Sequence, residues 1–380
     1  MGQNTAMLTP FDDFPIHPSA DPIAHPATAD PNHYDRYWFN GAAKDGSFFI
    51  GGAMGHYPVR GVIDAAFSVV REGVEYSLFT SGIMPLDRRT EVGPLKVEVI
   101  EPMRTIRLTA DRTAKGLGCD LIFRARTVAI EEPRQRIVAP DGVLVMDHTR
   151  LTQWGTWEGT IWIDDEVIEV DPATTVATRD RSWGMRPVGQ QLVTQRPGRV
   201  PQVFWHWLPL HFDDFCTHMA LHEHKSGERW LEAAMTLPLL GENEPACGYD
   251  PATHLTGLTY DIEWEPGRRE MRSAVFTANR PDGSEVKIEL EKLYTFRMRG
   301  IGYTHPHWSH GSNHGELEIG REDIRLEDFD PLDISSIHLQ NIVRARLDGQ
   351  VGYGVLEQFV LGEHDPTGMR GFTDGWAAAK

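Results

Sequence analysis

The chain of 380 residues carries 37 basic and 55 acidic side chains, which gives a formal net charge of -18 at pH 7. A chain of this charge is repelled by phosphate, so neither nucleic acid nor an anionic membrane surface is an expected partner. The length exceeds what one hydrophobic core usually serves, and the 40% hydrophobic residues, with 11 Trp and 16 Phe, provide enough apolar material for two domains.

Cysteine usage and the N-terminal sequence indicate the compartment. Cys119, Cys216 and Cys247 are scattered and have no CxxC spacing, which favours neither a disulfide framework nor a structural zinc site. The N-terminus has no basic segment followed by an apolar one, and no apolar run approaches the length of a membrane span. We therefore expect a cytoplasmic protein without an integral membrane segment, and we leave open whether it forms a homodimer.

In chain order, the first expected feature is an extended arm over residues 1–33, because residues 8–33 are rich in Pro, Asp, His and Ala and show no periodicity. From Tyr34 onward, short β-type runs follow one another almost to the end of the chain. In the runs that begin at Leu95 and Val286, apolar residues alternate with Lys and Glu. A period of two is typical of half-buried strands, whereas an amphipathic helix spaces its apolar residues three and four apart.

Turn signals separate these runs. Asp282-Gly283 and Asp348-Gly349 each lie between two alternating runs, and we interpret Asp45-Gly46 and Asp141-Gly142 in the same way. Asp-Gly is a strong hairpin signal because both residues tolerate positive φ.

The sequence therefore predicts an all-β fold with few short helices and two tandem barrel- or sandwich-like halves. The boundary is expected in 189–202, which contains two prolines and two glycines and has the composition of a linker. The predicted N-terminal domain comprises residues 34–190 and the C-terminal domain residues 191–380.

Several common catalytic motifs are absent from the sequence. It contains no GxGxxG after a strand, no GxxxxGK[ST], no GxSxG and no HExxH. These absences argue against the commonest dinucleotide- and nucleotide-binding enzymes, hydrolases and zinc peptidases, and we expect no cofactor. Enzymes whose catalytic groups are spread over several strands remain compatible with the sequence.

The most unusual segment is RDRSWG, which contains Asp180, Trp183 and Gly184. In a structural interpretation, Asp180 pairs with an arginine or caps a turn, Trp183 fills a core and Gly184 permits a bend. In a functional interpretation, the Asp180 carboxyl lies on a cavity wall beside a flat aromatic face. The residue types alone leave both open.

This segment resembles the Asp-x-x-Trp/Tyr-Gly motif of the carotenoid 1,2-hydratase group, whose double lipocalin-like (calycin) fold is shared with the AttH proteins and several pericyclases. The aromatic-rich run QWGTWEG at 153–159, about 26 residues earlier, also fits. The resemblance implies two lipocalin-like halves with an apolar pocket in or between them. It also implies that Asp180 donates a proton to a double bond and that Trp154 lines the site.

Two positions depart from the hydratase pattern. The hydratases carry a Tyr two positions before this Asp and a His two positions before the Trp, where this chain has Thr178 and Thr152. The expected reaction therefore broadens to hydration, dehydration or cyclisation by acid–base chemistry. Burial would keep an acid protonated near neutral pH, and indole rings would stabilise a carbocation. If Arg179 or Arg181 nevertheless contacts Asp180, Asp180 is a structural anchor and the acid lies elsewhere.

Glu357 is a second candidate acid or base, because it shares one face of the final strand with Tyr353 and other apolar residues. A carboxylate on an apolar face is costly unless it is paired or protonated, so a buried Glu–Arg pair is the alternative. The candidate substrate-binding residues are aromatic, and each is equally suited to an ordinary core. They are Trp154, Trp157, Trp183, Trp205 and Tyr353.

Among the histidines, His206 between Trp205 and Trp207 is a candidate acid or base, with a buried structural histidine as the alternative. His222 and His224 share one face of a predicted strand, where a third ligand would complete a metal site, but a polar outward face is the commoner explanation.

A predicted loop carries four further histidines, and loops rich in His and Gly are weak evidence for chelation. They are His305, His307, His310 and His314. We assign no metal site from the sequence.

The sequence thus predicts a cofactor-independent lyase or isomerase acting on a hydrophobic isoprenoid-, steroid- or polyketide-like substrate, with Asp180, His206 and Glu357 as catalytic candidates. A non-catalytic carrier of apolar small molecules is the alternative, because lipocalin-like folds frequently only bind. A metal-dependent enzyme built on the histidines is the third hypothesis.

Overall fold

A computed structural model describes residues 28–138, 142–188 and 202–377. The predicted all-β fold is confirmed: the strands form two antiparallel sheets, each nearly closed into a barrel. Within these ranges the helical segments are three short 3-10 turns, at Arg112–Ala114, Met298–Ile301 and Leu326–Asp328. No helix among the described residues is long and apolar enough to cross a membrane.

The first sheet contains fourteen strands, and its order is β21-β4-β3-β2-β1-β13-β11-β8-β7-β6-β5, with β9, β10 and β12 also paired to β11. Its strands are β1 (His33–Ala43), β2 (Phe48–Tyr57), β3 (Val62–Arg71), β4 (Val74–Ile83), β5 (Glu91–Val92), β6 (Leu95–Glu101), β7 (Thr105–Ala110), β8 (Leu117–Ala125), β9 (Ile130–Glu131), β10 (Gln135–Val138), β11 (Leu144–Ile163), β12 (Glu166–Val170), β13 (Thr175–Met185) and β21 (Leu317–Arg325).

The second sheet contains nine strands in the order β17-β16-β15-β14-β23-β22-β20-β19-β18. They are β14 (Val203–His211), β15 (Phe215–Glu223), β16 (Arg229–Pro238), β17 (Thr253–His254), β18 (Thr256–Trp264), β19 (Met271–Asn279), β20 (Glu285–Arg297), β22 (His338–Leu347) and β23 (Gln350–Leu361).

The predicted strands at Leu95 and Val286 are confirmed as β6 and β20, whose residues alternate between buried and exposed along most of their length. Asp45-Gly46, Asp282-Gly283 and Asp348-Gly349 each lie between two consecutive strands, as predicted. Asp348 and Gly349 have φ of 49° and 81°, which is the left-handed conformation that Asp-Gly tolerates in a two-residue hairpin turn.

The predicted arm and linker fall largely outside the described residues, which begin at residue 28 and omit 189–201; Asp141 also lies outside them. The division into domains at residues 190 and 191 therefore stays a prediction. Strand β21 comes from the second predicted half but pairs with β4 at the edge of the first sheet.

Alternation of side chains produces three large hydrophobic cores among the described residues, beside two small clusters. One fills the first sheet and includes Phe39 and Trp157, and another fills the second sheet and includes Phe204. The third lies between the sheets and joins Trp38 and Trp154 from the first with Trp205, Trp207 and Phe296 from the second. Since side chains at successive positions of a strand point to opposite faces, the strands at the contact between the sheets, such as β1, β11 and β14, serve one internal core and the core between the sheets.

Candidate functional site

Three adjacent strands of the first sheet present polar side chains to the second sheet. Cross-strand pairing aligns Asp180 of β13 with Trp38 of β1 on one side and with Thr152 of β11 on the other. Arg36 and Arg150 are two residues away along β1 and β11, so they project from the same face. Charged groups from three strands therefore converge between the sheets, within an otherwise hydrophobic contact.

The second sheet meets this face with polar side chains from β14, β22 and β23. Glu357 of β23 pairs across the strands with Trp207 on one side and Gln340 on the other. Direct hydrogen bonds join the two sheets: Asn40 Nδ2 donates to Gln340 Oε1 at 3.0 Å, and Trp207 Nε1 donates to Glu132 Oε1 at 2.8 Å.

We call the resulting cluster the inter-sheet site and define it by its six central side chains. They are Glu132, Arg150, Asp180, Tyr303, His338 and Glu357.

Asp180 is held as a weak acid by its surroundings. Burial raises the pKa of its carboxyl to about 6, against the opposing charges of Arg150 and Arg36. Arg150 Nε lies 3.9 Å from Asp180 Oδ2, and both side chains retain slight solvent exposure, at 13% and 11%. Asp180 is therefore protonated in an appreciable fraction of molecules near neutral pH and can still be reached from solvent.

The arginines adjacent in sequence do not provide this contact. Arg179 donates to Gln153 Oε1, and Arg181 forms an ion pair with Asp35 at 2.8 Å. Both point to the opposite face of β13, as strand alternation requires. The cation beside Asp180 instead comes from the neighbouring strand β11.

Gly184 of the RDRSWG segment is required by the same strand pairing. It has a φ of 129°, and a Cβ at this position would lie 2.4 Å from the backbone oxygen of Asp147 on β11. Any other residue would push β13 away from the strand that carries Arg150. The glycine thus preserves the spacing that places Arg150 beside Asp180.

Glu357 is held in the opposite ionisation state. Burial opposes ionisation, but hydrogen bonds from His338 and Gln340, together with the charges of His338 and Arg150, outweigh it and lower the pKa to about 2. His338 Nε2 donates to Glu357 Oε1 at 2.8 Å and Gln340 Nε2 donates to Oε2 at 2.9 Å. Glu357 is therefore a fixed negative charge.

Tyr303 lies between Arg36 of β1 and Arg186, which follows the end of β13. Arg36 Nη1 and Arg186 Nη1 donate to its hydroxyl oxygen at 2.8 and 3.1 Å. Burial disfavours the phenolate, but the charges of Arg186 and Arg36 outweigh it and lower the pKa of Tyr303. Nη2 of both arginines is buried and finds no hydrogen-bond acceptor in the described part of the chain, so each can donate to a bound molecule.

Aromatic rings border the site on the side of the second sheet. Trp205 stacks on His222 at 4.1 Å between ring centroids, and the Arg150 guanidinium lies 5.3 Å from the Trp205 ring. Phe359 stacks on His338, whose ring also packs edge-on against Tyr303 at 4.5 Å. These rings provide flat apolar surfaces beside the charged groups.

Of the residues predicted from the sequence, Asp180, Glu357 and Trp205 meet in this site. Trp205 Nε1 donates to Glu357 Oε1 at 3.3 Å. Trp154 belongs to the same inter-sheet core, with its ring packed edge-on to His218 at 5.6 Å. Tyr353 lies on the Glu357 face of β23, four residues away from it.

The other three predicted residues lie elsewhere. Trp157 is inside the first sheet, where Nε1 donates to the backbone oxygen of Asn40. Trp183 points to the face of β13 opposite Asp180 and packs with the small cluster that includes Leu151. His206 is buried inside the second sheet, edge-on to Phe204, and burial lowers its pKa to about 3. The structure does not bring these three side chains together with Asp180.

The sequence interpretation missed Glu132, Arg150, Tyr303 and His338. Arg150 is aligned next to Asp180 only by the pairing of β11 with β13, and Tyr303 follows the 3-10 turn at Met298–Ile301. On its face of β22, His338 is followed by Gln340, Ile342 and Arg344, so the sequence offered no apolar pattern against which this histidine would stand out. The surroundings of Asp180 are consequently more highly charged than the expected apolar pocket.

The two groups of histidines predicted as possible metal ligands differ in the structure. His222 lies between the rings of Trp205 and Trp230, and no metal-type cluster in the described ranges includes it. Across those ranges, one group of three His, Cys, Asp or Glu residues brings a ligand atom from each within 4.8 Å, and it comprises His307, His314 and Glu318.

Comparisons with known proteins give a family and a set of distant structures. A model described as a family of unknown function (DUF8625) matches residues 8–370. No curated protein sequence matches the chain. The crystal structure of kievitone hydratase from Nectria haematococca aligns with a TM-score of 0.46 and 12% identity, covering 90% of this chain and 93% of that one. The crystal structure of CghA aligns with a TM-score of 0.48 and 12% identity, covering 88% and 90%.

Proposed function

The chain belongs to a family of unknown function (DUF8625), and we propose that it is a cofactor-independent lyase or isomerase that performs acid–base chemistry in the inter-sheet site. The observation that carries the proposal is the pair of carboxyl groups held in opposite states: the pKa of Asp180 is raised to about 6, and that of Glu357 is lowered to about 2. Environments that push the pKa values of neighbouring acids apart are typical of sites that divide acid and base roles.

Asp180 is assigned as the general acid. Its proton is available near neutral pH, and its side chain retains solvent contact. Positioned general acids accelerate proton transfer by about 10²- to 10⁴-fold, most effectively when their pKa is near the working pH. Arg150 limits the pKa of this acid and then stabilises the carboxylate that remains after proton transfer.

The proposed base is His338, oriented by Glu357. Because His338 Nε2 donates to Glu357, the other ring nitrogen is the acceptor in the neutral ring. Nδ1 is buried and has no hydrogen-bond partner among the residues described. A histidine held by a carboxylate on one nitrogen and open at the other has the arrangement of a general base.

The proposed substrate is a hydrophobic molecule of the isoprenoid, steroid or polyketide type that also carries oxygen. The rings of Trp205, Phe359 and Tyr303 match its apolar part, and the unused Nη2 groups of Arg36 and Arg186 match a carbonyl, enolate or carboxylate oxygen.

Elimination of water is one reaction that this acid and base would catalyse. Asp180 protonates the leaving hydroxyl, the C–O bond breaks and water departs with its electron pair. His338 Nδ1 takes the proton from the neighbouring carbon, and the C–H electrons form the double bond. Hydration is the reverse sequence, while protonation of a carbonyl or alkene by Asp180 would initiate cyclisation.

The test uses purified full-length protein and a panel of oxygenated terpenoids, steroids and polyketides, with products detected by liquid chromatography and mass spectrometry. Asp180→Asn should reduce turnover at least 100-fold without loss of fold, whereas Asp120→Asn should not, because Asp120 forms an exposed ion pair with Arg107. Unchanged turnover in folded Asp180→Asn would remove Asp180 as the acid. Ligand retention without conversion would favour the carrier.

A further inference from the structure

The segment between the 3-10 turn Met298–Ile301 and β21 carries a second cluster of ionisable groups, separate from Asp180 and Glu357. Two histidines of this segment approach one carboxylate at the start of β21. His307 Nε2 lies 2.9 Å from Glu318 Oε1, and His314 Nδ1 lies 3.0 Å from Glu318 Oε2. The two imidazole rings are also adjacent, with centroids 4.4 Å apart.

We propose that His307, His314 and Glu318 form a binding site for a divalent transition-metal ion of the zinc type. Two imidazoles and one carboxylate form a frequent ligand set for zinc, and imidazole ligands disfavour Mg²⁺ and Ca²⁺, which prefer oxygen. One ligand atom from each residue already lies within 4.8 Å of the others. Ligands at about 2.0–2.2 Å from a tetrahedral ion lie roughly 3.4 Å apart, so the 2.9 and 3.0 Å contacts must lengthen by a few tenths of an ångström, and the two imidazole nitrogens, which lie within 4.8 Å of each other, must reach the same separation.

The nitrogen of His314 that faces Glu318 has no competing contact within its own ring. Nδ1 lies at Glu318, while Nε2 is buried and has no hydrogen-bond partner in the described parts of the chain. Because the two nitrogens of an imidazole ring point in different directions, Nδ1 is the ligand atom that allows His314 and Glu318 to bind the same ion. An ion would replace the contact between Nδ1 and the Glu318 carboxylate.

The backbone that carries the cluster is already ordered by other contacts. His305 Nδ1 accepts hydrogen bonds from the backbone N–H groups of His307 and Trp308 at 3.0 and 2.9 Å. Trp308 stacks on Phe79 of β4 with an interplanar angle of 3°. Because the segment is held before an ion arrives, binding sacrifices little conformational entropy.

A bound ion would restrict the movement of the segment 302–316. This segment places the Tyr303 hydroxyl against Arg36 and Arg186, and His310 against Arg36. An ion shared by residues 307, 314 and 318 would fasten the segment to β21. This metal site is independent of the proposed enzymatic function.

The test measures Zn²⁺ binding to untagged full-length protein after chelator treatment and dialysis. We expect one equivalent of Zn²⁺ by elemental analysis, a higher melting temperature with Zn²⁺, and a tetrahedral visible absorption spectrum with Co²⁺. His307→Ala and His314→Ala should each weaken Zn²⁺ binding about tenfold or more in chelator competition.

The matched control is His254→Ala. His254 Nε2 lies 2.7 Å from Asp250 Oδ2 in an exposed histidine–carboxylate pair that has no third ligand among the residues described, and its loss should leave Zn²⁺ binding unchanged. Wild-type protein without stoichiometric Zn²⁺ binding would overturn the proposal. Equal affinity in wild type, His307→Ala and His314→Ala would do the same, and circular dichroism would verify that both variants are folded.

Discussion

The guanidinium of Arg150 lies 3.6 Å from the carboxylate of Glu132, between Nη1 and Oε2, and the two side chains are only 13% and 2% exposed. Glu132 also accepts hydrogen bonds from Trp207 Nε1 and Thr152 Oγ1. The pair thus joins β11 to the segment before β10 and, through Trp207, to the second sheet. A buried ion pair held by further hydrogen bonds is costly to break from one side, because the remaining charge loses its partner.

Arg150→Met should therefore destabilise the protein by about 3–5 kcal/mol at pH 7, measured by urea unfolding. In the double variant Arg150→Met with Glu132→Gln, much of this loss should be recovered, because no unpaired Glu132 carboxylate remains. The control Arg344→Met breaks the exposed contact with Glu291 and should cost less than about 1 kcal/mol. Additive effects of Arg150→Met and Glu132→Gln would contradict a direct coupling.

Asp180 should make the protein less stable as pH rises. Its pKa is raised from 3.8 to about 6 in the folded state, so the folded protein binds the proton more tightly than the unfolded chain. The contribution of Asp180 to the free energy of unfolding is then largest below the unfolded pKa and falls between pH 4 and 6, by on the order of 3 kcal/mol. Asp180→Asn should remove this fall, and urea unfolding at pH 4 and pH 7 measures it. A constant difference between wild type and Asp180→Asn across this range would show that burial does not raise the pKa.

Glu357 should show the opposite pH dependence. Its folded pKa of about 2 lies below the unfolded value of 4.5, so its contribution to stability is present above pH 4.5 and lost as pH falls towards 2. Glu357→Gln should lower the free energy of unfolding at pH 7 by on the order of 3 kcal/mol, with a shrinking deficit from pH 5 to pH 3.

The comparison for Glu357→Gln is Glu291→Gln, an exposed carboxylate on β20 that should alter the unfolding free energy by no more than about 0.5 kcal/mol. If Glu357→Gln were as harmless as Glu291→Gln at pH 7, the hydrogen bonds from His338 and Gln340 would not stabilise the carboxylate.

Local sequence predicted much of the fold, because a strand with one buried face must alternate. The pattern at Leu95 and Val286 and the Asp-Gly turns are signals of this kind, and each is readable within ten residues. Alternation also decides which candidate residues share a strand face. Residues an odd number of positions apart lie on opposite faces, which separates Trp183 from Asp180 and His206 from Trp205.

The partners within the site could not be predicted from the sequence. Arg150, Glu132 and His338 reach Asp180 or Glu357 from other strands, and the pairing that aligns them depends on the topology of the whole sheet. Tyr303 is positioned by a segment that passes from the second sheet to the edge of the first. Short-range patterns contain no information about such contacts.

Tyr303 provides a spectroscopic test of the site. Burial opposes its ionisation, but the charges of Arg186 and Arg36 outweigh this effect and lower its pKa below the ordinary value of 10, whereas burial raises the pKa of the neighbouring Tyr34 and Tyr57. An absorbance titration of tyrosinate should therefore show an early transition in wild-type protein. Tyr303→Phe should lose this transition, while Tyr353→Phe should retain it. If the early transition persisted in Tyr303→Phe, the two arginines would not govern ionisation of this phenol. Loss of the early transition in Tyr303→Phe would show that Arg36 and Arg186 stabilise an anionic group in contact with them. The proposed binding of a substrate oxygen requires this property.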